Sequence, residues 1–316
     1  LNIMRALISL LSVVSCSLLT NAFTIAAPRD ERPNIIVILV DDMGFSDIGC
    51  YGGEIETPNL NALANNGLRF TQFYNSGRCC PTRASLMTGL HPHQVGIGHM
   101  TEPPNQSLGF EGPYQGYLNQ QCVTLAQVLK STDYHTLMTG KWHLGHADKN
   151  NWPLQRGFDR FYGGISGAFN YFKPGGDRGI TEGNAPVSTT EDWYATDAFT
   201  DKGIEYIKEA KAADDNPFFL YLAFNAPHWP LNAKWEDYLK YRGKYTAGWQ
   251  AISDERFEKQ KRIGLFDETV KPAPLQAPKW DGLSDAERDR LDAVQAAYAG
   301  CIDNIDQNIG KLVAYL

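Results

Sequence analysis

The stretch Asn34-Ile-Ile-Val-Ile-Leu-Val40 runs directly into two acidic residues, Asp41 and Asp42. A continuous apolar run rich in β-branched residues is typical of a strand buried on both faces, as in parallel or mixed α/β sheets. Open α/β sheets bind their ligands at the carboxyl ends of strands, where these two carboxylates lie. Two acidic residues can also mark an ordinary solvated loop after a strand. The apolar run that precedes them nevertheless predicts an α/β fold.

Helical and extended segments alternate along the rest of the chain. Thr57 can cap a helix from Pro58 to Asn65, because proline suits the first helical turn. Patterning predicts further helices over residues 82–90, 123–129 and 198–212, and strands over 68–74, 134–138 and 217–224. Residues 150–196 and 230–280 combine aromatic residues with many loop-forming ones, which predicts irregular surface segments.

The last helix has a clear start and a long apolar stripe. Ser284 and Glu287 form a capping box. Apolar residues then follow at helical spacing: Leu291, Val294, Tyr298, Cys301, Ile305, Ile309 and Leu312. Such a stripe packs against another element. The helical pattern continues to Leu316, so the alternation looks unfinished and we interpret the chain as truncated.

Composition limits the class of protein. With 316 residues, 43% of them hydrophobic and 21% charged, the chain can bury a sizeable core. A net charge of -7 argues against a nucleic-acid partner, because neutralising phosphates requires an excess of Lys and Arg. The 6 cysteines are too few and too scattered for a disulfide scaffold.

Residues 1–27 have the pattern of a secretory signal peptide. Arg5 precedes an apolar run, and the small residues Ala26 and Ala27 come before a charged segment. The run is too short and too interrupted by serine to predict a stable membrane span. We therefore expect export to the periplasm or secretion. Cys16 also lies in a lipobox-like context, so a lipid anchor at this residue is an alternative.

The segment Cys79-Cys80-Pro81-Thr82-Arg83 carries the most specific chemistry. Adjacent cysteines could form a vicinal disulfide or a metal pair, but no second Cys or His cluster lies nearby in sequence to complete a zinc site. The predicted helix that follows puts Cys79 at a helix N-terminus, where backbone N–H groups favour anions.

Read as C-x-P-x-R, the residues Cys79, Pro81 and Arg83 resemble the signature of the type I, formylglycine-dependent sulfatases. The resemblance implies an alkaline-phosphatase-like sandwich with a large, mostly parallel mixed sheet flanked by helices. It also implies that a formylglycine-generating enzyme oxidises Cys79 to formylglycine (3-oxoalanine). One hydroxyl of its hydrate would attack sulfur, and the other would later lose its proton to expel sulfate. Cys80 is followed directly by proline and cannot begin the motif.

The resemblance also assigns a metal site and a partner for the nucleophile. Asp41 and Asp42 resemble the metal-binding opening of the family, and Cys79, as formylglycine, adds a further oxygen. The expected ion is calcium, which takes roughly six to eight oxygen ligands. Arg83 lies one helical turn from Cys79 and would support its ionised form, although it could also be a surface charge. Asp47 is interpreted as a turn residue.

Three further residues complete the implied site. Gly140-Lys141-Trp142-His143 resembles the second signature of the family, in which the lysine binds sulfate and the histidine contacts the formylglycine hydrate. Lys141 and His143 are two residues apart, so an extended segment would turn both to one side. His143 would be the base. His228 resembles the other sulfate-binding histidine and the acid for the leaving alcohol, although a histidine at a strand end is often structural.

The resemblance implies a sulfuric ester hydrolase that cleaves aryl sulfates or sulfated carbohydrates. Residues 28–316 would form the N-terminal part of its catalytic domain. The family normally adds an Asp-Asn pair in a Ser-Asp-Asn-Gly segment, and Asp303-Asn304 does not qualify because it lies inside a periodic helix. Two alternatives remain: a phosphomonoester or phosphonate hydrolase of the same superfamily, and an inactive fragment that binds sulfated glycans.

Overall fold

A computed structural model describes residues 31–101 and 111–316 of the chain. Residues Pro33–Leu316 form one compact unit. The predicted signal peptide over residues 1–27 and the alternative lipid anchor at Cys16 lie outside the described residues. Within the described ranges, no helix combines the length and the hydropathy that crossing a bilayer requires.

The centre of the unit is a mixed sheet of six strands in the order β1-β6-β2-β3-β4-β5. The strands are β1 (Ile35–Asp41), β2 (His135–Gly140), β3 (Arg160–Gly163), β4 (Ile180–Glu182), β5 (Ala185–Val187) and β6 (Phe218–Pro227). The β1/β6, β6/β2 and β2/β3 pairs are parallel, and the β3/β4 and β4/β5 pairs are antiparallel. This confirms the predicted α/β class with a mostly parallel mixed sheet.

Helices cover both faces of this sheet. They are α1 (Pro58–Asn65), α2 (Cys79–Thr88), α3 (Leu125–Lys130), α4 (Ala195–Ala213), α5 (Trp235–Tyr241), α6 (Trp249–Arg262) and α7 (Asp285–Tyr315). Short 3-10 turns connect several of them. Helix α7 begins at the predicted capping box, because Ser284 accepts a hydrogen bond from the backbone N–H of Glu287.

Strand β6 shows how the two faces are divided. Leu222 and Phe224 point into the cluster that contains residues of α4 and α7, whereas Tyr221 and Ala223 point into the cluster that contains residues of α2 and α3. Every residue of β6 is buried. A strand covered on both faces must be apolar at consecutive positions, which explains the unbroken run in this part of the sequence.

Three segment predictions are wrong. Residues 68–74 do not form a strand: Leu68 and Tyr74 are 87% and 84% exposed, and the alternating pattern finds no strand to pair with. Residues 150–196 contribute β3, β4 and β5 and several core side chains, instead of forming only surface loops. Residues 230–280 contain the helices α5 and α6. In each case long-range packing decides the conformation of a segment with a weak local pattern.

The three neighbouring parallel strands β1, β6 and β2 end at one edge of the sheet. Asp41 aligns with Pro227 of β6, and the backbone N–H of Lys141 donates to the carbonyl of Ala223 at 2.8 Å. Asp42, His228 and Lys141 directly follow the ends of their strands. The sheet therefore brings together residues from three distant parts of the sequence.

Candidate active site

Helix α2 places Cys79 at the edge of the site. Cys79 is its first residue and Arg78 before it is extended, so the first backbone N–H groups of the helix surround this position. The helix packs on the sheet through Cys80, Ala84 and Met87, which are fully buried. This confirms the predicted placement of Cys79 at a helix N-terminus.

A buried ion pair network links α2 to the ends of β1 and β2. Lys141 Nζ lies 2.5 Å from Asp41 Oδ2, and Arg83 Nη2 lies 3.5 Å from Asp41 Oδ1. Arg83 also donates to the carbonyl of Lys141 at 2.6 Å. Arg83 is 1% exposed, so its interpretation as a surface charge is wrong. Burial acts to raise the pKa of Asp41, but the charges of Arg83 and Lys141 outweigh it and lower this pKa.

Lys141 and His143 lie on the segment that follows β2. Gly140 has a φ of +103°, and a side chain there would meet the carbonyl oxygen of Ala223 at 1.9 Å. His143 itself has a φ of +58° and is held by its backbone N–H, which donates to Ile165 at 3.0 Å. Both side chains are buried. Lys141 and His143, the predicted pair of site residues, therefore both lie in the site, on the segment that follows β2 and that has left-handed φ values at Gly140 and His143.

Cys79, Cys80 and His143 form a compact group whose Sγ and ring nitrogen atoms lie within 4.8 Å of one another. His143 is thus a third potential metal ligand beside the two cysteines, and only the fold brings it close to them. The two thiols are free, so no vicinal disulfide is present. Each Sγ also lies 3.8 Å from the thioether of Met100, which the sequence analysis did not single out because an isolated methionine carries no local signal.

The electrostatics of this group favour a charged Cys79 and a neutral His143. A hydrogen bond with Cys80, assisted by one with His143 and by the charge of Lys141, lowers the pKa of Cys79 to about 3 despite partial burial. Burial, together with the charges of Lys141 and Arg83, lowers the pKa of His143 to about 4. At neutral pH His143 is therefore able to accept a proton.

The unmodified thiol of Cys79 should remain a thiolate in weak acid. We expect iodoacetamide to alkylate Cys79 at similar rates at pH 8 and pH 5, whereas an ordinary cysteine slows roughly a thousand-fold over this range. Peptide mass spectrometry after timed quenching measures the rate at each pH. In the Cys80→Ala variant the lost hydrogen bond should shift the acid midpoint upward. A wild-type profile with the midpoint of a free cysteine would contradict the described electrostatics.

Asp42 and His228 form the outer part of the site. Asp42 is 59% exposed with a φ of +68°, and its Oδ2 lies 3.5 Å from Nε2 of His228. Burial and repulsion from the Asp41 carboxylate raise the pKa of Asp42, against an opposing effect of His228. Nδ1 of His228 lies 2.7 Å from the carbonyl of Trp229. Two adjacent carboxylates that repel each other are a suitable donor set for a dication.

Two acidic candidates have structural roles. Asp47 caps the backbone N–H of Gly44 and pairs with Arg256 at 2.6 Å, in agreement with its interpretation as a turn residue. Asp303 lies inside α7, where it accepts hydrogen bonds from Lys240 and Tyr241. The adjacent Asn304 donates to Asp237. The Asp303-Asn304 pair is therefore used in helix packing.

Two further polar residues of β6 lie next to these groups. Tyr221 accepts a hydrogen bond from Arg83 at 3.4 Å, and Asn225 is 1% exposed with no hydrogen-bond partner for either side-chain amide atom among the described residues. Neither residue was predicted as part of the site. Their separation of four residues could have indicated it, because residues at even spacing on a strand lie on one face.

Comparisons with known proteins identify relatives of this chain. The model of the sulfatase family matches residues 33–316. An uncharacterised sulfatase of Schizosaccharomyces pombe is 35% identical over 91% of this chain, and an arylsulfatase of Klebsiella aerogenes is 35% identical over 92%. These alignments cover 55% and 63% of the two relatives, so the chain spans little more than half of their lengths.

Solved structures show the same fold. The crystal structure of Ps i-CgsB in complex with k-i-k-neocarrahexaose is 27% identical, with a TM-score of 0.65 over 90% of this chain and 55% of that one. A phosphonate monoester hydrolase of Agrobacterium radiobacter shares the fold at 18% identity, with a TM-score of 0.54 over 90% of this chain and 59% of that one. The match of the family model over residues 33–316 and the two relatives at 35% identity show that the chain belongs to the sulfatase family.

Proposed function

We propose that this protein hydrolyses sulfate monoesters of phenols or carbohydrates to the free hydroxyl compound and sulfate. The observation that supports this most strongly is the convergence of Cys79, Arg83, Lys141 and His143 on the carboxyl ends of β1, β6 and β2. The family membership agrees with it. The sulfated carbohydrate class gains support from the related structure that binds a neocarrahexaose.

Cys79 is proposed to be converted to formylglycine by a formylglycine-generating enzyme. When present, formylglycine hydrate supplies one hydroxyl to attack sulfur and a second whose deprotonation releases sulfate. The surroundings of Cys79 fit an ionised oxygen, because the helix N-terminus, Lys141 and Arg83 all favour negative charge there. His143 lies beside this position and is neutral at pH 7, so its ring nitrogen can accept the proton.

Asp41 and Asp42 are proposed to hold one calcium ion, with an oxygen at position 79 as a further ligand. When bound, calcium would polarise the sulfate ester and stabilise negative charge on the nucleophile. The donor set fits a hard cation, since both residues offer carboxylate oxygens and the two carboxylates repel each other. These groups fall short of the roughly six to eight oxygens that calcium prefers. We therefore expect the complete site to need ligands beyond the described residues.

Lys141 and His228 are proposed to bind the sulfate group. Lys141 is fully buried and presents its ammonium between α2 and the ends of β1 and β2. His228 is 27% exposed on the open side of the site, where it can protonate the leaving alcohol. Lys141 lies against the buried Asp41 and His228 lies against the exposed Asp42, so an anion next to both carboxylates can be contacted from the buried and the open side.

The proposal is tested by co-expressing the longest polypeptide that the gene encodes with a formylglycine-generating enzyme. Mass spectrometry of the peptide that contains Cys79 should detect an aldehyde, and aryl sulfate should be hydrolysed faster than the matching aryl phosphate. Faster cleavage of phosphate would favour the phosphomonoester or phosphonate hydrolase alternative. An unconverted thiol together with binding of sulfated glycans would favour the non-catalytic alternative.

We also propose that the protein is exported, to the periplasm or the medium, on the basis of the signal-peptide pattern in residues 1–27. The lipid anchor at Cys16 remains the alternative within this proposal. Cell fractionation with and without residues 1–27 distinguishes a retained protein from an exported one.

A further inference from the structure

We propose that Asn225 is a positioning residue of the active site: its amide oxygen holds the ammonium of Lys141 while Lys141 binds the oxyanion of the substrate. This inference rests on the proposed function, because it takes Lys141 as the anion-binding lysine. It adds a residue that the family signatures quoted above do not contain.

The face on which Asn225 lies follows from the alternation of β6. Phe219, Tyr221 and Ala223 belong to the cluster on the α2 side of the sheet, whereas Phe224 and Ala226 belong to the cluster on the α4 side. The register between β1 and β6 shifts between Ala223 and Pro227. Asn225 lies between Phe224 and Ala226, which both face the α4 side, so we infer that its side chain points to the α2 side. That is the side on which Tyr221 contacts Arg83.

The neighbours of Asn225 follow from the order of the strands. Strand β6 lies between β1 and β2, so the bridge from Lys141 to Asp41 must cross over β6. Lys141 is anchored to Ala223 through its backbone, two residues before Asn225, and Asp41 aligns with Pro227, two residues after it. The bridge therefore passes over the segment of which Asn225 is the centre.

The amide of Asn225 is buried and has no partner within residues 31–101 and 111–316, although folded proteins satisfy most such groups. Lys141 has three N–H donors and pairs with one oxygen of Asp41 in the described structure. A cation bound by Asp41 would compete with Lys141 for the carboxylate. Lys141 would then need other acceptors, and Oδ1 of Asn225, on the strand between those that precede Asp42 and Lys141, has no partner among the described residues. The amide oxygen of Asn225 would therefore accept a hydrogen bond from Lys141 when the cation and the substrate are bound.

The test compares three variants of the matured protein in calcium-containing buffer. Asn225→Leu keeps the size but removes both hydrogen-bonding groups, Asn225→Ser keeps a hydroxyl acceptor, and Thr139→Val is the control. Thr139 also has a fully buried hydroxyl without a partner, but it faces Gly203 of α4 on the opposite side of the sheet. Calorimetric titration measures the affinity for inorganic sulfate and, separately, for calcium.

We expect Asn225→Leu to weaken sulfate binding at least about ten-fold and to raise KM for the sulfate ester, because a hydrogen bond to a buried charge is lost. Its calcium affinity should stay within about two-fold, since a hydrogen bond to Lys141 contributes no metal ligand. Asn225→Ser should recover most of the sulfate affinity, and Thr139→Val should bind sulfate like the wild type.

Several results would overturn this role. They are unchanged sulfate affinity in Asn225→Leu, a selective loss of calcium affinity, and equal sulfate affinities of the Leu and Ser variants in folded protein. A wild-type protein that prefers aryl phosphate would contradict the proposed sulfatase function but not this inference. Inorganic phosphate would then replace sulfate in the same titrations.

Discussion

Replacement of Cys79 by alanine is expected to abolish sulfate-ester hydrolysis, with a loss in kcat of at least ~10⁴-fold, as for other enzymes that lose their nucleophile. Alanine cannot become formylglycine, and it leaves Arg83, Lys141 and His143 without the anion that they surround. The initial rate with an aryl sulfate measures the effect. Equilibrium unfolding checks that the variant is folded.

The adjacent Cys80 provides the matched control. Its thiol is fully buried and contacts Met100 and Thr101. Cys80→Ala should cost about 1 kcal/mol of folding stability for the small cavity, while turnover of the matured enzyme stays within about ten-fold. Loss of activity in Cys80→Ala with activity retained in Cys79→Ala would show that the motif has been read in the wrong register. Activity of Cys79→Ala near the wild-type value would exclude Cys79 as the nucleophile.

Replacement of Asp41 by asparagine is expected to have the largest effect on stability. Asp41 is the shared anion of Lys141 and Arg83, both of which are fully buried. Without it, two positive charges remain close together in the interior, which costs about 3–5 kcal/mol. Calcium affinity should fall as well, because a carboxylate ligand becomes a neutral amide. Urea unfolding of the metal-free protein measures the first effect, and a calcium titration measures the second.

The Asp42→Asn variant separates the effect on folding stability from the effect on calcium binding. Asp42 is exposed, its carboxylate lies 3.5 Å from the His228 ring, and its pKa is raised. Its replacement should leave the metal-free stability within about 1 kcal/mol, since exposed ion pairs contribute little, and should still weaken calcium binding. Similar stability losses for both variants would contradict the described network. Unchanged calcium affinity in both would exclude these carboxylates as the metal ligands.

Local sequence alone determined several features of this protein correctly. The apolar run before Asp41 predicts β1, the capping box at Ser284 predicts the start of α7, and the segment after Cys79 predicts helix α2. These predictions succeed because their signals lie within a few residues: a continuous apolar run, a reciprocal cap, and a helix-compatible proline. The motif also places Arg83 one turn from Cys79, as the helix confirms.

Tertiary structure decided how the site residues meet. No pattern in the sequence shows that β6 lies between β1 and β2, and therefore that Lys141 bridges to Asp41 over Asn225. Nor does any local signal bring Met100 beside Cys79. The failed strand over residues 68–74 has the same cause, because an alternating pattern forms a strand only where a neighbouring strand accepts its hydrogen bonds. The sequence therefore identifies which chemical groups are present, whereas strand order and burial determine which of them are in contact and which are charged.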